Sequence, residues 1–258
     1  MSRSADARWY GAGRTDVGLV RRANQDALLL RDELGLWIIA DGMGGHPGGD
    51  VASKMAVETT AAHIATLAES GARHASDHTE DLRRAVLQAN VALHAEGDTR
   101  PEYKGMGTTL IALHIAGFPQ AQATLAHLGD SRAYLYRAGT LSQLTRDHSW
   151  VEDQIQAGLL STENAATHPL RHMLTRALGI DTKGEPDILT LFLETGDRIL
   201  LCTDGLTKML SDDEILATLA GHKKDSQAAC DDLVNRANAR GGQDNVTVLL
   251  VSDRIGTA

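Results

Sequence analysis

Hydrophobic residues along the chain come in short, dense runs bounded by glycine and aspartate. Ala27–Leu30, Leu36–Ala40, Thr109–Ala116, Ala121–Leu128, Ala133–Arg137, Ile199–Cys202 and Val246–Val251 are such runs. Their length and their Leu, Ile, Val and Tyr content read as strands. Ala138-Gly139 marks a turn into a further short strand, Thr140–Leu144. Strand follows strand through the middle of the chain without intervening helices, so an antiparallel sheet is expected. Helical periodicity lies outside that block. Leu82, Val86, Ala89 and Leu93 share one helix face, as do Ala229, Leu233 and Ala237. Gly49 to about Ala68 is rich in Ala, Val and Thr, with Asp50 as its expected cap. Its small residues would let it lie close against a sheet. Thr145–Gly179 is mixed and irregular, with His168-Pro169 inside it, and reads as a flap beside the core. The pattern predicts an α+β layered domain.

Composition narrows the function classes. The 258 residues carry 25 Lys and Arg against 34 Asp and Glu, a net charge of −9, with 42% hydrophobic residues. That profile argues against disorder and against a nucleic-acid binder, and disfavours an anionic membrane surface. Cys202 and Cys230 are the only cysteines, so no disulfide framework exists and a reducing, cytoplasmic setting is expected. The first residues lack the apolar core of a signal peptide. Gly105–Gly129 has no charged residue, yet Gly117-Phe118-Pro119-Gln120 interrupts it and His114, Gln122 and His127 stud it, so a hairpin is expected rather than a membrane span. No repeat or linker divides the chain, and one domain over residues 1–258 is expected.

The chemistry shows in where the aspartates fall. Leu36–Ala40 runs into Asp41-Gly42, Ile199–Thr203 into Asp204-Gly205, and Thr124–Leu128 into Gly129-Asp130, while Asp244 precedes the strand Val246–Val251. Taken singly these are ordinary turn dipeptides. Together they place four carboxylates at strand ends, and clustered carboxylates repel one another unless a cation neutralises them. An all-oxygen ligand set selects Mg²⁺ or Mn²⁺. Zinc fits poorly: His168 and His172 stand at i, i+4, but Pro169 disrupts the helix that would align them. Two divalent ions would activate a water and clamp a phosphoryl group. Arg21, in the segment Gly18–Asp26, is the candidate to grip that phosphate with its two-pronged guanidinium.

The motifs GLVRRANQDA, ADGMGGHPGGDVAS, MGTTL, HLGDSRAYLYRAG, LTRALG, GDRILLCTDGL and GGQDNVTVLLV, in this order, resemble the bacterial branch of the protein phosphatase 2C family. The resemblance implies a four-layer α-β-β-α sandwich, two antiparallel sheets flanked by helices, with Thr145–Gly179 as the variable flap. It implies hydrolysis of phosphoserine and phosphothreonine by a water activated between two metals, Mn²⁺ or Mg²⁺. Asp41 then matches the bridging carboxylate, with the Gly42 carbonyl beside it. Asp204 and Asp244 match the ligands of the first metal, and Asp130 that of a third, weaker one. Arg21 matches the substrate-phosphate arginine, and Asp26 the carboxylate behind the ligands; Asn245 and His46 are expected to support them. In the animal branch a histidine directly follows the motif's Asp-Gly, where this chain has Met43. Proton donation to the leaving oxygen then falls to Asp130 or His46.

Other classes fare worse. Gly42–Gly45 lacks the Gly-Lys-Ser/Thr of a phosphate-binding loop, and Gly129-Asp130-Ser131 has no nucleophile elbow. Cys202 begins no Cys-x5-Arg sequence, and Cys230 with Arg236 has that spacing only within the helical pattern of Ala229, Leu233 and Ala237, not in a loop. A phosphoprotein-binding pseudophosphatase is the alternative, and it should have lost metal carboxylates. The expected partners are phosphoproteins, a serine/threonine kinase and its substrates, met by a monomer with no nucleic acid and no membrane insertion.

Overall fold

The computed structural model describes residues 8–43, 48–69, 78–116 and 121–254. Its strands form two five-stranded antiparallel sheets. One runs β1 (Trp9–Asp16), β10 (Val246–Asp253), β9 (Arg198–Cys202), β6 (Arg132–Arg137) and β7 (Thr140–Gln143); the other runs β2 (Asp26–Arg31), β3 (Leu36–Asp41), β4 (Leu110–Ala116), β5 (Gln122–Leu128) and β8 (Asp187–Phe192). Long helices α1 (Gly49–Glu69) and α2 (His78–Thr99) cover the second sheet, and α6 (Asp212–Gly221) and α7 (Ser226–Ala239) the first. Three short helices lie between: α3 (Trp150–Gln156), α4 (Thr162–Ala166) and α5 (Asp204–Thr207).

Strand β3 shows why its sequence is an unbroken apolar run. Successive side chains of a strand point to opposite faces, and both faces of β3 are buried. Leu36, Ile38 and Ala40 face α1 and α2, while Trp37 and Ile39 face the other sheet with Ile111, Leu113, Leu125, Ile199, Leu201 and Leu249. The result is the α-β-β-α sandwich. Each fully buried large side chain contributes about 1.5–3 kcal/mol. The small residues Ala52, Ala56 and Ala61 let α1 approach its sheet, as expected. Asp50 lies in the first turn of α1, where its charge complements the helix dipole, rather than ahead of the helix.

This architecture sets the site. β2 and β3 place Asp26 opposite Asp41, and β9 and β10 end beside each other, so strand ends from both sheets meet at one edge of the sandwich.

Candidate active site

At that edge Arg21, Gln25, Asp41, Gly42, Asp130, Asp204, Lys208 and Asp244 line a cleft of about 310 Å³, with Met43, Thr109, His172 and Leu174 at its walls. The four carboxylates at strand ends thus share one space, with Arg21 and the Gly42 backbone. His46 lies outside the described residues.

Local structure fixes each carboxylate. The MGTTL segment holds Asp41: its N–H donates to Thr109 Oγ1 at 3.0 Å, and its carbonyl accepts from the Thr109 N–H at 2.9 Å and Thr108 Oγ1 at 2.9 Å. The glycines after Asp41 and Asp204 are required by close approach. A Cβ at Gly42 would stand 2.1 Å from the Gly49 carbonyl oxygen, and one at Gly205 1.9 Å from that of Asn245. Asn245 pins the loop that carries Arg21. Its Oδ1 accepts from the Gln25 N–H at 2.8 Å, and its Nδ2 donates to the carbonyls of Val17 and Ala23 at 2.9 and 3.0 Å.

Asp26 lies buried behind the cleft. Its Oδ2 accepts from Thr203 Oγ1 at 2.9 Å and Thr247 Oγ1 at 2.6 Å, and its Oδ1 is buried without a hydrogen-bond partner among the described residues. Burial pushes its pKa up to about 7, with the Asp204 and Asp244 charges adding to the rise. Asp130 is likewise raised to about 7, first by burial and then by Asp204. Asp41 is driven well above the carboxylate range by burial and by Asp26, Asp204 and Asp130.

The protein's own cations answer this field. Arg21 forks onto Asp244, Nε to Oδ1 and Nη2 to Oδ2, each at 2.8 Å. Lys208 pairs with Asp204 and stands 3.6 Å from Asp244. Burial alone would lower the Lys208 pKa, but these carboxylates hold it above its usual value. Among the described residues no three acidic, His or Cys groups close into a metal cage. The donor set nonetheless suits hard cations. It is all oxygen, burial destabilises Asp41 and Asp130 as anions, and Asp204 Oδ1 is buried without a partner among the described residues.

Two neighbours were missed in the sequence. Lys208 belongs to the site only because Asp204 opens helix α5, which brings the fourth residue on back over the carboxylate. His172, considered there only as a zinc partner of His168, reaches the cleft wall alone, while His168 stacks on Trp150 at 4.7 Å.

Carboxylates from strand ends converge in a cleft at the edge of an α-β-β-α sandwich, and residues 17–250 match the protein phosphatase 2C family. The chain belongs to that family of metal-dependent serine/threonine protein phosphatases. It is 39% identical over 249 residues to the serine/threonine phosphatase stp of Listeria monocytogenes, covering 92% of this chain and 93% of the relative. The crystal structure of the Mycobacterium tuberculosis phosphatase PstP/Ppp superposes with a TM-score of 0.82 at 36% identity, covering 95% of this chain and 98% of that one. A second structure, of the PstP catalytic domain in complex with two manganese ions, gives a TM-score of 0.78 at 36% identity over 95% and 97% of the two chains.

Proposed function

We propose that Asp41, the Gly42 carbonyl, Asp204 and Asp244 hold two divalent cations, Mn²⁺ or Mg²⁺, and that Asp130 with Asp204 holds a third more weakly. The convergence of these groups on one cleft carries the reading. Such ions, when bound, supply acidified water and neutralise phosphoryl charge. Arg21 is positioned to transfer its fork from Asp244 to the substrate phosphate, since both are oxyanions of similar bite. Asp26, held by two threonine hydroxyls, orients the ligands from behind. A water held at Asp130 would supply the proton to the departing serine or threonine oxygen, with His46 as the competing donor.

The substrates are phosphoproteins, and the opposing enzyme is a serine/threonine kinase. The manganese-bound relative supports the metal assignment. Both cysteines are free and buried, which suits the cytoplasm, and among the described residues no helix is long and apolar enough to cross a membrane.

Asp204→Asn tests the metal reading. Titration calorimetry should lose the tighter Mn²⁺ binding, and hydrolysis of an aryl phosphate should fall by about 100-fold or more, as removal of a ligand to a catalytic ion demands. Full Mn²⁺ binding with near-normal turnover would refute it.

A further inference from the structure

The root of the flap carries a buried histidine that the proposed chemistry leaves unused. His148 is 1% exposed and lies two residues before helix α3. Its ring Nδ1 accepts the Gly129 N–H at 3.1 Å, and its own N–H donates to the Gly129 carbonyl at 2.8 Å. His148 therefore grips both sides of the residue preceding Asp130.

The rest of the ring is held as firmly. With Nδ1 accepting, the neutral ring carries its proton on Nε2, which donates to Asp187 Oδ2 on β8 at 3.1 Å. Arg176, which can only donate, acts through that carboxylate, its Nη1 reaching Asp187 Oδ1 at 2.6 Å. His127 on β5 stacks against the ring with centroids 4.6 Å apart. The His148 carbonyl accepts from the Thr175 N–H at 2.9 Å, closing the base of the flap.

Asp130 needs such a support. No described side chain donates a hydrogen bond to its carboxylate, so the backbone of the turn sets its direction. That turn is unusual: Gly129 has φ of +109°, and a Cβ there would meet Thr109 at 2.5 Å.

We infer that His148 is a positioning residue for the reaction, a pin that fixes the Gly129–Asp130 turn to the root of the flap. The inference rests on the reading above that Asp130 serves the chemistry.

Isosteres separate the pin from mere packing. Asn at 148 keeps an acceptor near the place of Nδ1, whereas Gln carries its amide out toward the place of Nε2 and leaves the Gly129 N–H unmet. On a phosphothreonine peptide at saturating Mn²⁺, His148→Gln should lose about 10-fold or more in kcat with KM within about twofold, and His148→Asn should stay within about threefold of the parent, the scale expected for outer supports of a site. The double variant Asp130→Ala/His148→Gln should be no slower than Asp130→Ala alone, because a pin acts only through what it holds. Equal behaviour of the Asn and Gln variants, a loss confined to KM, or multiplied losses in the double variant would each overturn the inference. Should Gln unfold the domain, Asp187→Ala, at a half-exposed carboxylate, loosens the ring without touching Gly129; an unchanged kcat there also overturns it. Asp130→Ala with full activity defeats the parent reading, whereas a slow Asp130→Ala beside an unaffected His148→Gln defeats this inference alone.

Discussion

At the scale of single residues, the site is a contest between cations for the same carboxylates. Arg21 spends both prongs of its guanidinium on Asp244, and Lys208 is shared between Asp204 and Asp244. An incoming phosphate and a divalent ion both change that pairing: the ion competes for the Asp oxygens, and the phosphate competes for Arg21. The Arg21 side chain is 43% exposed, so its ion pair with Asp244 adds little to stability and leaves the guanidinium available. Arg21→Ala should therefore leave the folded domain intact and raise KM for an aryl phosphate by about tenfold, equivalent to about 1.4 kcal/mol of lost phosphate binding. Any accompanying fall in kcat reports contacts made only in the transition state. Steady-state constants unchanged by the substitution would mean the guanidinium serves Asp244 alone.

At the scale of elements, the flap stands apart in how it is built. Its helices α3 and α4 are short, each capped by a serine, Ser149 or Ser161, that accepts a backbone N–H at 3.3 Å. Short helices have little stability of their own, so the flap relies on its ties: Arg132 to Asp147, Trp150 N–H to the Met173 carbonyl, and the pairing of Leu178 with Thr108. A second cleft of about 510 Å³ opens between flap and core, lined by Val151, Ile155, Arg171 and Lys208 among others. Replacing residues 150–173 with the matching segment of a relative should change kcat/KM among phosphoproteins by about tenfold while altering hydrolysis of p-nitrophenyl phosphate less than about twofold, because remote contacts act only on substrates large enough to make them. Parallel losses on both substrates would place the flap in the catalytic scaffold.

Most of these elements were legible in the sequence because both faces of the central strands are buried, which writes a continuous apolar run. Two strands were not. β1 contains Gly11 and Gly13, where a Cβ would collide with Trp37 and with Leu28, so the tight fit of the two sheets removes the side chains that would have marked it. β8 is an edge strand with mostly exposed side chains, and helix α6 begins in the acidic run Asp212–Glu214 that masks its apolar Ile215 and Leu219. The carboxylates of the site were visible as Asp-Gly steps at strand ends. What they pair with was not, since Lys208 and His148 acquire meaning only when α5 and the flap root are folded.

At the scale of the whole molecule, the sandwich buries negative charge at one edge, and its stability should follow the protonation and metal state of that edge. Asp26 and Asp130 have folded pKa values of about 7, raised chiefly by burial, against about 3.9 in an unfolded chain. A raised folded pKa means that the folded state holds the proton more tightly. The stability from these groups is therefore complete below about pH 4 and is lost as pH rises through about 7. Divalent cations work in the opposite direction, because their ligands must be deprotonated and their binding strengthens as pH rises. At about 100 times its dissociation constant, Mn²⁺ would add about 2.7 kcal/mol, or roughly 5–10 °C in Tm for a domain of this size. The rise in Tm on adding Mn²⁺, reversed by EDTA, should accordingly be larger at pH 7.5 than at pH 5.5. In Asp130→Asn, which removes one titrating carboxylate, the gap between the two pH values should narrow. Scanning calorimetry of both proteins at both pH values, with and without Mn²⁺, decides the matter: a metal-induced shift equal at the two pH values, or greater at pH 5.5, would show that the buried carboxylates are not what the cation neutralises.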